Sequence, residues 1–252
     1  MAWADDFANL FGYQYAVCFA RARDAMRAYV EVTGRAIILP TNICPLVVTT
    51  PDPLRPINQE TGMAADLPVQ LYGYREENPG GHLLEIDPLM TGYKNRPLCE
   101  SSITSFGRHK SLCAGKGAMF MTNNQGLAEE MEPHGFWNQG WNRKFTQKWY
   151  EFDDWIEERF ECIAKWDAQL GDLLIRIPKE QVMPWRVMRR VPGDNRDVLV
   201  GGLRALGVAV GTNYPPLTGS NEWGDTVVNF LIDEMPYDWD PIIQAIEEAV
   251  YG

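Results

Sequence analysis

Histidine is scarce in this 252-residue sequence: His82, His109 and His134 are the only three, and no metal-ligand spacing relates them. A catalytic metal site therefore has little support, and none is assigned. Cysteine pairs are missing too. Cys18, Cys44, Cys99, Cys113 and Cys162 are odd in number, widely scattered and without a C-x-x-C motif, which argues against both a disulfide framework and a zinc site and fits a reducing, intracellular setting. There is no basic excess: the formal net charge is -11, which disfavours attraction to a phosphate backbone, so nucleic acid is not an expected partner. Long hydrophobic runs are absent as well. The longest apolar stretch, around 198–210, is broken by Arg204 and several glycines, short of the roughly 20 residues a spanning helix needs. The first residues bring acids, Asp5 and Asp6, where a secretory leader would carry a basic stretch and an apolar run. These absences predict a cytoplasmic protein with no membrane partner.

What is present is an ordinary globular composition, 45% hydrophobic and 23% charged, in a chain long enough to bury a large core. Tyr15 to Phe19 reads as a short buried strand. Asp24 to Val32 has helical spacing, with Ala25, Met26, Tyr29 and Val30 on one side and Gly34 as the stop. The run from Arg35 to Pro40 reads as a second strand, so residues 15–39 spell strand, helix, strand, as in a crossover unit of a parallel sheet. Residues 51–66 read mainly as loop, and further strands are expected at 67–73, at His82 to Asp87, at Ser101 to Phe106 and at Ala118 to Thr122.

Beyond residue 125 the character changes. Gln147 to Leu170 carries Trp149, Phe152, Trp155, Ile156, Phe160, Ile163 and Trp166 at helical spacing, which predicts one long amphipathic helix using this stripe for core or dimer packing. Short strands and helices then alternate: strands at Leu173 to Ile177, Val208 to Val210 and Thr226 to Ile232, the segment Trp185 to Val191, and helices near Asp197 to Leu206 and Asp240 to Val250. The expected fold class is α/β, a mainly parallel sheet flanked by helices in residues 1–140, with a linking helix and a small C-terminal α+β domain in 141–252.

The stretch richest in chemistry runs from Ser105 to Thr122, S-F-G-R-H-K-S-L-C-A-G-K-G-A-M-F-M-T, where a strand delivers a serine and then Lys110 to a glycine-rich turn. Loops after such strands are where ligands sit in α/β sheets. Only a primary amine exchanges an imine reversibly with an incoming amino substrate and then returns as acid or base.

This stretch resembles the S-F-x-x-x-K, G-x-G-G and T-N-D signature of DegT/StrS-type aminotransferases, a branch of the fold-type I pyridoxal-phosphate enzymes. The resemblance implies that Lys110 carries pyridoxal 5'-phosphate as a Schiff base. Other pieces follow in order. Glu85-Ile-Asp87 is similar to the family's E-D element, which makes Asp87 the acid that pairs with the pyridine nitrogen. Where the family has a glutamine three residues later, this chain has Met90. Phe19 to Met26 occupies the place of the phosphate turn between the first strand and helix, implying cofactor contacts at Ala22, which stands where glycine is usual, and at Arg23. Ser105 resembles the serine that meets the phosphate. Leu39 to Cys44 is similar to the P-x-x-x-C/F element, with Cys44 against the ring face. Gly140-Trp-Asn-Arg143 resembles G-x-N-x-R, whose asparagine, here Asn142, reaches the neighbouring subunit's phosphate. The segments from Trp185 to Pro192 and from Thr212 to Leu217 resemble the small domain, where Arg186, with Arg189 and Arg190 beside it, is a candidate for binding a substrate carboxylate.

The resemblance implies a shortened aminotransferase that moves an amino group from an amino-acid donor to a carbonyl acceptor and works as a homodimer with shared active sites. Decarboxylation or elimination on an amino-acid-derived substrate is the alternative within the same cofactor chemistry. A noncatalytic relative that binds the cofactor is the alternative outside it.

Overall fold

In the computed structural model the structure describes residues 2–35, 37–39, 54–56, 84–86, 99–107, 110, 112–136, 151–177, 184, 186–212, 226–232 and 238–251. In chain order the elements are α1 (Ala2–Leu10), β1 (Tyr15–Phe19), α2 (Ala22–Thr33), β2 (Ile37–Leu39), β3 (Leu54–Pro56), β4 (Leu84–Ile86), β5 (Ser101–Ser105) and β6 (Ala118–Thr122). They are followed by α3 (Gln125–Met131), a 3-10 turn at Glu132–His134, α4 (Phe152–Leu170), β7 (Ile175–Arg176) and β8 (Arg186–Arg190). The chain closes with α5 (Arg196–Ala205), β9 (Val210–Thr212), β10 (Val227–Leu231) and α6 (Asp240–Tyr251).

The first half builds a sheet in the order β1-β6-β5-β4. β6 runs antiparallel to both β1 and β5, and β4 is parallel to β5. Thus β1, β5 and β4 run one way and β6 alone runs the other. Side chains alternate across the pleat. Ile103, Ala118 and Phe120 join Val17, Phe19 and the buried face of α2 (Ala25, Met26, Ala28, Tyr29) in one core. On the other face Met119, Met121 and Cys18 pack with Ala4, Phe7, Ala8 and Phe11. The i, i+3, i+4, i+7 spacing of those last four is what holds α1 on the sheet.

α2 ends as its sequence predicts: Gly34 has φ 62° and its N–H donates to the Val30 carbonyl at 2.9 Å, a left-handed stop that glycine takes without steric cost. At the far end of β6, Asn124 caps α3 by accepting from the Leu127 N–H at 3.1 Å.

Two expectations need correction. β1 does not take β2 as a parallel neighbour among the described residues; its partner is β6, antiparallel, while β2 pairs in parallel with β3. A strand, helix, strand pattern sets the direction of a crossover and leaves open which strands become neighbours. Residues 54–56, expected as loop, form β3; Pro56 closes it at the strand's last residue, a position where a missing N–H is tolerated. The strand expected at 67–73 lies outside the described residues.

The second half forms an antiparallel sheet in the order β7-β8-β10-β9. Its core gathers Trp166, Leu170, Val187, Leu199, Leu203, Val228, Phe230, Ile242 and Ile246, with the Trp166 ring 4.9 Å from Phe230 and 4.9 Å from Trp239 between centroids. The tryptophan stripe of α4 is divided along its length. Phe152, Trp155 and Ile156 pack with α1 and the strand-end residue Phe106, whereas Trp166 and Leu170 belong to the C-terminal core. Phe160 remains 38% exposed, and the buried side of the helix also takes Arg159. No helix among the described residues is long and apolar enough to cross a membrane.

Trp166→Ala should cost about 3–5 kcal/mol, the usual range for emptying a fully buried tryptophan site, read as a lower denaturant midpoint. Cys18, buried in the core beneath α1, has its thiol pushed up from 9.0 to about 12 by burial. Because the folded state keeps that proton, the thiol's contribution to stability is intact below pH 9.0 and is lost as the pH rises toward about 12. Iodoacetamide at pH 8 should leave Cys18 unlabelled in the folded protein and label it after denaturation, as read by peptide mass spectrometry.

Candidate active site

Strand direction decides where a site can form. Since β1, β5 and β4 run the same way, their C-terminal ends open on one edge of the sheet, the edge at which ligands bind in open α/β folds. In register, Phe19 and Ser105 both face Ala118, so the last residues of β1 and β5 stand level on either side of the first residue of β6. Ser105 is half-buried, and the Gly107 N–H donates to its Oγ at 3.4 Å.

The segment between β5 and β6 is pinned at several points. Phe106 N–H donates to the Gly117 carbonyl at 2.9 Å, Ala114 N–H to the Phe106 carbonyl at 3.1 Å, and Lys110 N–H to the Gly107 carbonyl at 3.0 Å. Lys110 is half-buried within this frame, and Phe106, Leu112 and Ala114 sink into the core around it. Gly117 has φ 108°, a backbone state that side chains rarely adopt, and its N–H donates to the Ala20 carbonyl at 3.1 Å. That bond ties the lysine-bearing loop to the turn that opens α2.

The turn itself is suited to an anion. Arg21, the residue before α2, is extended and its side chain makes no capping hydrogen bond; it pairs instead with Asp24 at 3.3 Å. Arg27 also approaches Asp24, at 3.9 Å. Arg23 lies half-buried at the second position of α2 and has no ion pair among the described residues. A helix start with no side-chain cap, a nearby serine hydroxyl and an uncommitted guanidinium are the donors a phosphate needs, and the Lys110 amine is the group that pyridoxal phosphate requires. The described residues thus fit that cofactor.

The structure ties the loop that carries Lys110 to the turn before Ala22 and Arg23 through the Gly117–Ala20 bond, and sets Ser105 level with Phe19. Asp87, Cys44, Asn142 and His109 lie outside the described residues; β4, the strand that precedes Asp87, is described. Arg186 stands elsewhere, on the C-terminal sheet, half-buried and donating through Nη1 to Asn229 Oδ1. Arg189 is buried and paired with Asp167, with Nη1 donating to the Met188 carbonyl at 2.8 Å. A carboxylate partner within the chain removes Arg189 from the candidates for substrate binding. A cavity of about 430 Å³ lies along β1, lined by Asp5, Tyr15, Cys18, Glu129, Glu132 and Phe136 among others, and none of the candidate residues lines it. Gly117 and Ala20 were missed as a connecting pair; the G-x-G run at 115–117 signals a special turn but not the partner it meets.

No protein-family model matches the sequence, and no curated protein matches it. Solved structures do. An aminotransferase, TlmJ, from Streptoalloteichus hindustanus aligns with a TM-score of 0.81 and 14% identity over 98% of this chain and 89% of that one. A DegT DnrJ EryC1 StrS aminotransferase from Brucella abortus aligns with a TM-score of 0.72 and 15% identity over 100% and 90% of the two chains. NtdA from Bacillus subtilis, solved with bound cofactor PMP, aligns with a TM-score of 0.72 and 14% identity over 100% and 77%. The fold of this chain is accordingly the one these aminotransferase structures share.

Gly117→Ala should destabilise the protein by roughly 1–3 kcal/mol, because a Cβ there is strained by the backbone whatever space surrounds it. Thermal unfolding measures the loss, and Gly126→Ala, at an exposed position without positive φ, serves as the control.

Proposed function

We propose that this protein is a pyridoxal-phosphate-dependent aminotransferase that moves an amino group from an amino-acid donor to a carbonyl acceptor, with Lys110 as the cofactor-bearing lysine. The observation that carries the proposal is the bond from the Gly117 N–H to the Ala20 carbonyl, 3.1 Å long. Through it a lysine loop and an uncapped helix start share one edge of a sheet whose fold is that of aminotransferases. When bound, pyridoxal phosphate supplies a ring that draws off the electrons of a bond broken on the amino substrate.

The chain's own groups do the rest. Backbone N–H groups at Ala22 and Arg23, the Ser105 hydroxyl and the Arg23 guanidinium hold the phosphate. The Lys110 amine would hold the cofactor and would serve as the acid and base that moves the proton at the donor's α-carbon. Asp87 would pair with the ring nitrogen and favour its protonated form, and Cys44 would supply a packing surface for the ring. Arg186 binds a substrate carboxylate. The active unit in this proposal is a cytoplasmic homodimer in which Asn142 of each chain reaches the phosphate held by the other. The large domain comprises residues 1–140, with the linking helix and small C-terminal domain in 141–252.

Borohydride reduction of the purified protein followed by peptide mass spectrometry should find a pyridoxyl group on Lys110. Lys110→Ala should lose turnover by several orders of magnitude while keeping its thermal transition, since the side chain is half-buried and outside the sheet. Full turnover in that variant, or a pyridoxyl group on another lysine, would remove Lys110 from its role.

A further inference from the structure

β1 is an edge strand: β6 pairs with it on one side, and no strand pairs with its other side among the described residues. Two bonds fix which peptide groups face outward. Phe106 N–H donates to the Gly117 carbonyl, so along β6 the peptide groups of Met119 and Met121 turn to β5 and that of Phe120 turns to β1. Phe136 N–H donates to the Cys18 carbonyl at 2.8 Å from outside the sheet. Both observations place the peptide groups of Tyr15, Val17 and Phe19 toward β6 and those of Ala16 and Cys18 on the open side. Phe136 takes the Cys18 carbonyl; the Ala16 N–H and carbonyl and the Cys18 N–H have no partner among the described residues. Outward peptide groups of this kind are a template for a further strand.

The open side borders the cavity of about 430 Å³ along β1. Asp5 lines it from α1, Glu129 from α3 and Glu132 from the 3-10 turn, and no lysine or arginine is among its described lining residues. One wall depends on glycine. A Cβ at Gly135 would meet Val17 Cγ1 and the Glu132 carbonyl at 3.0 Å and the Cys18 carbonyl at 3.2 Å, so the lack of a side chain lets the chain run against the edge and hold Phe136, 52% exposed, beside it.

Charge selects what fits. A second copy would bring the same three carboxylates against these, in a chain of net charge -11, and like charges facing each other across an interface are costly. We propose that the open edge of β1 docks an extended basic segment of another protein, which adds to the sheet through hydrogen bonds to Ala16 and Cys18 and sets cationic side chains against Asp5, Glu129 and Glu132. Main-chain bonds supply affinity in this mode and side chains supply specificity; the Phe136 ring offers the segment an apolar contact. None of the candidate cofactor residues lines the groove, so the docking edge stands apart from the aminotransferase proposal.

Fluorescence anisotropy of the whole protein with a labelled, end-capped peptide of alternating lysine and valine tests this. The peptide should bind, more weakly as salt is raised, and should slow hydrogen exchange at the Ala16 and Cys18 amides. A peptide of alternating glutamate and valine should not bind. Glu129→Gln combined with Glu132→Gln, both at exposed positions, should weaken binding by about tenfold, the worth of two exposed ion pairs. Ala16→Pro removes an outward N–H and no bond to β6, a change that edge strands accept, and should weaken binding by a similar factor. Should that variant fail to fold, the lysine–valine peptide with a methylated backbone, tested on the unaltered protein, carries the same expectation. Absence of binding by the parent peptide, or binding unchanged by the carboxylate substitutions, would overturn the proposal. Equal binding of the backbone-methylated peptide or of spermidine would reduce the groove to an acidic pocket without an added strand and overturn it too. Self-association that Ala16→Pro abolishes, in a protein that ignores the peptide, would give the edge to a second copy instead.

Discussion

One reversed strand organises the candidate site. β6 runs against its neighbours, so the chain that leaves β5 must turn back beside β1, and the loop making that turn is the one that carries Lys110. Pairing on both sides of β6 sets the last residues of β1 and β5 level with Ala118. The Gly117 N–H then closes the gap by reaching the Ala20 carbonyl. The loop that carries Lys110 and the turn that opens α2 are joined by this backbone arrangement.

α4 is the second organising element. Its first turns lie against the residues that flank Lys110, and its last turns lie in the core of the C-terminal sheet. A rigid helix with one end in each core transmits the position of one sheet to the other. The aromatic residues along it are large enough to fill both interfaces, and a polar side chain between them must find partners in the protein. Arg159 finds the Pro184 carbonyl and the Trp155 face. Arg189 shows the alternative on β8, a buried cation paired with Asp167 on the same helix.

Much of the local structure was legible. Gly34 marks the end of α2 because its left-handed backbone state favours glycine, and Ser101–Ser105 and Ala118–Thr122 are short runs buried almost throughout, as strands packed on both faces are. α1 was not among the expected helices, although Ala4, Phe7, Ala8 and Phe11 carry the spacing that packs it on the sheet. β3 was hidden by its prolines, since Leu54–Pro56 is held by pairing with β2 and has little strand propensity of its own. Around the candidate site, the turn before α2 and the segment between β5 and β6 were readable from the strand and helix signals that flank them, whereas the burial of Arg159 was not, because a charge among aromatic residues on a helix looks the same whether it faces water or core.

The sequence by itself determined the chemistry on offer: an amine in a glycine-rich loop, a serine two positions before a glycine, arginines at a helix start, and the periodicities that make strands and helices. Those follow from side-chain type and from contacts within a few residues. Tertiary structure alone decided that β1 would pair with β6 among the described residues, that Ala20 would meet Gly117 across 97 positions of chain, and that Arg159 would be buried against the Pro184 carbonyl. The physical reason is that hydrogen bonds between distant strands and burial between distant faces depend on which surfaces remain unpaired after local structure has formed, a property of the whole chain.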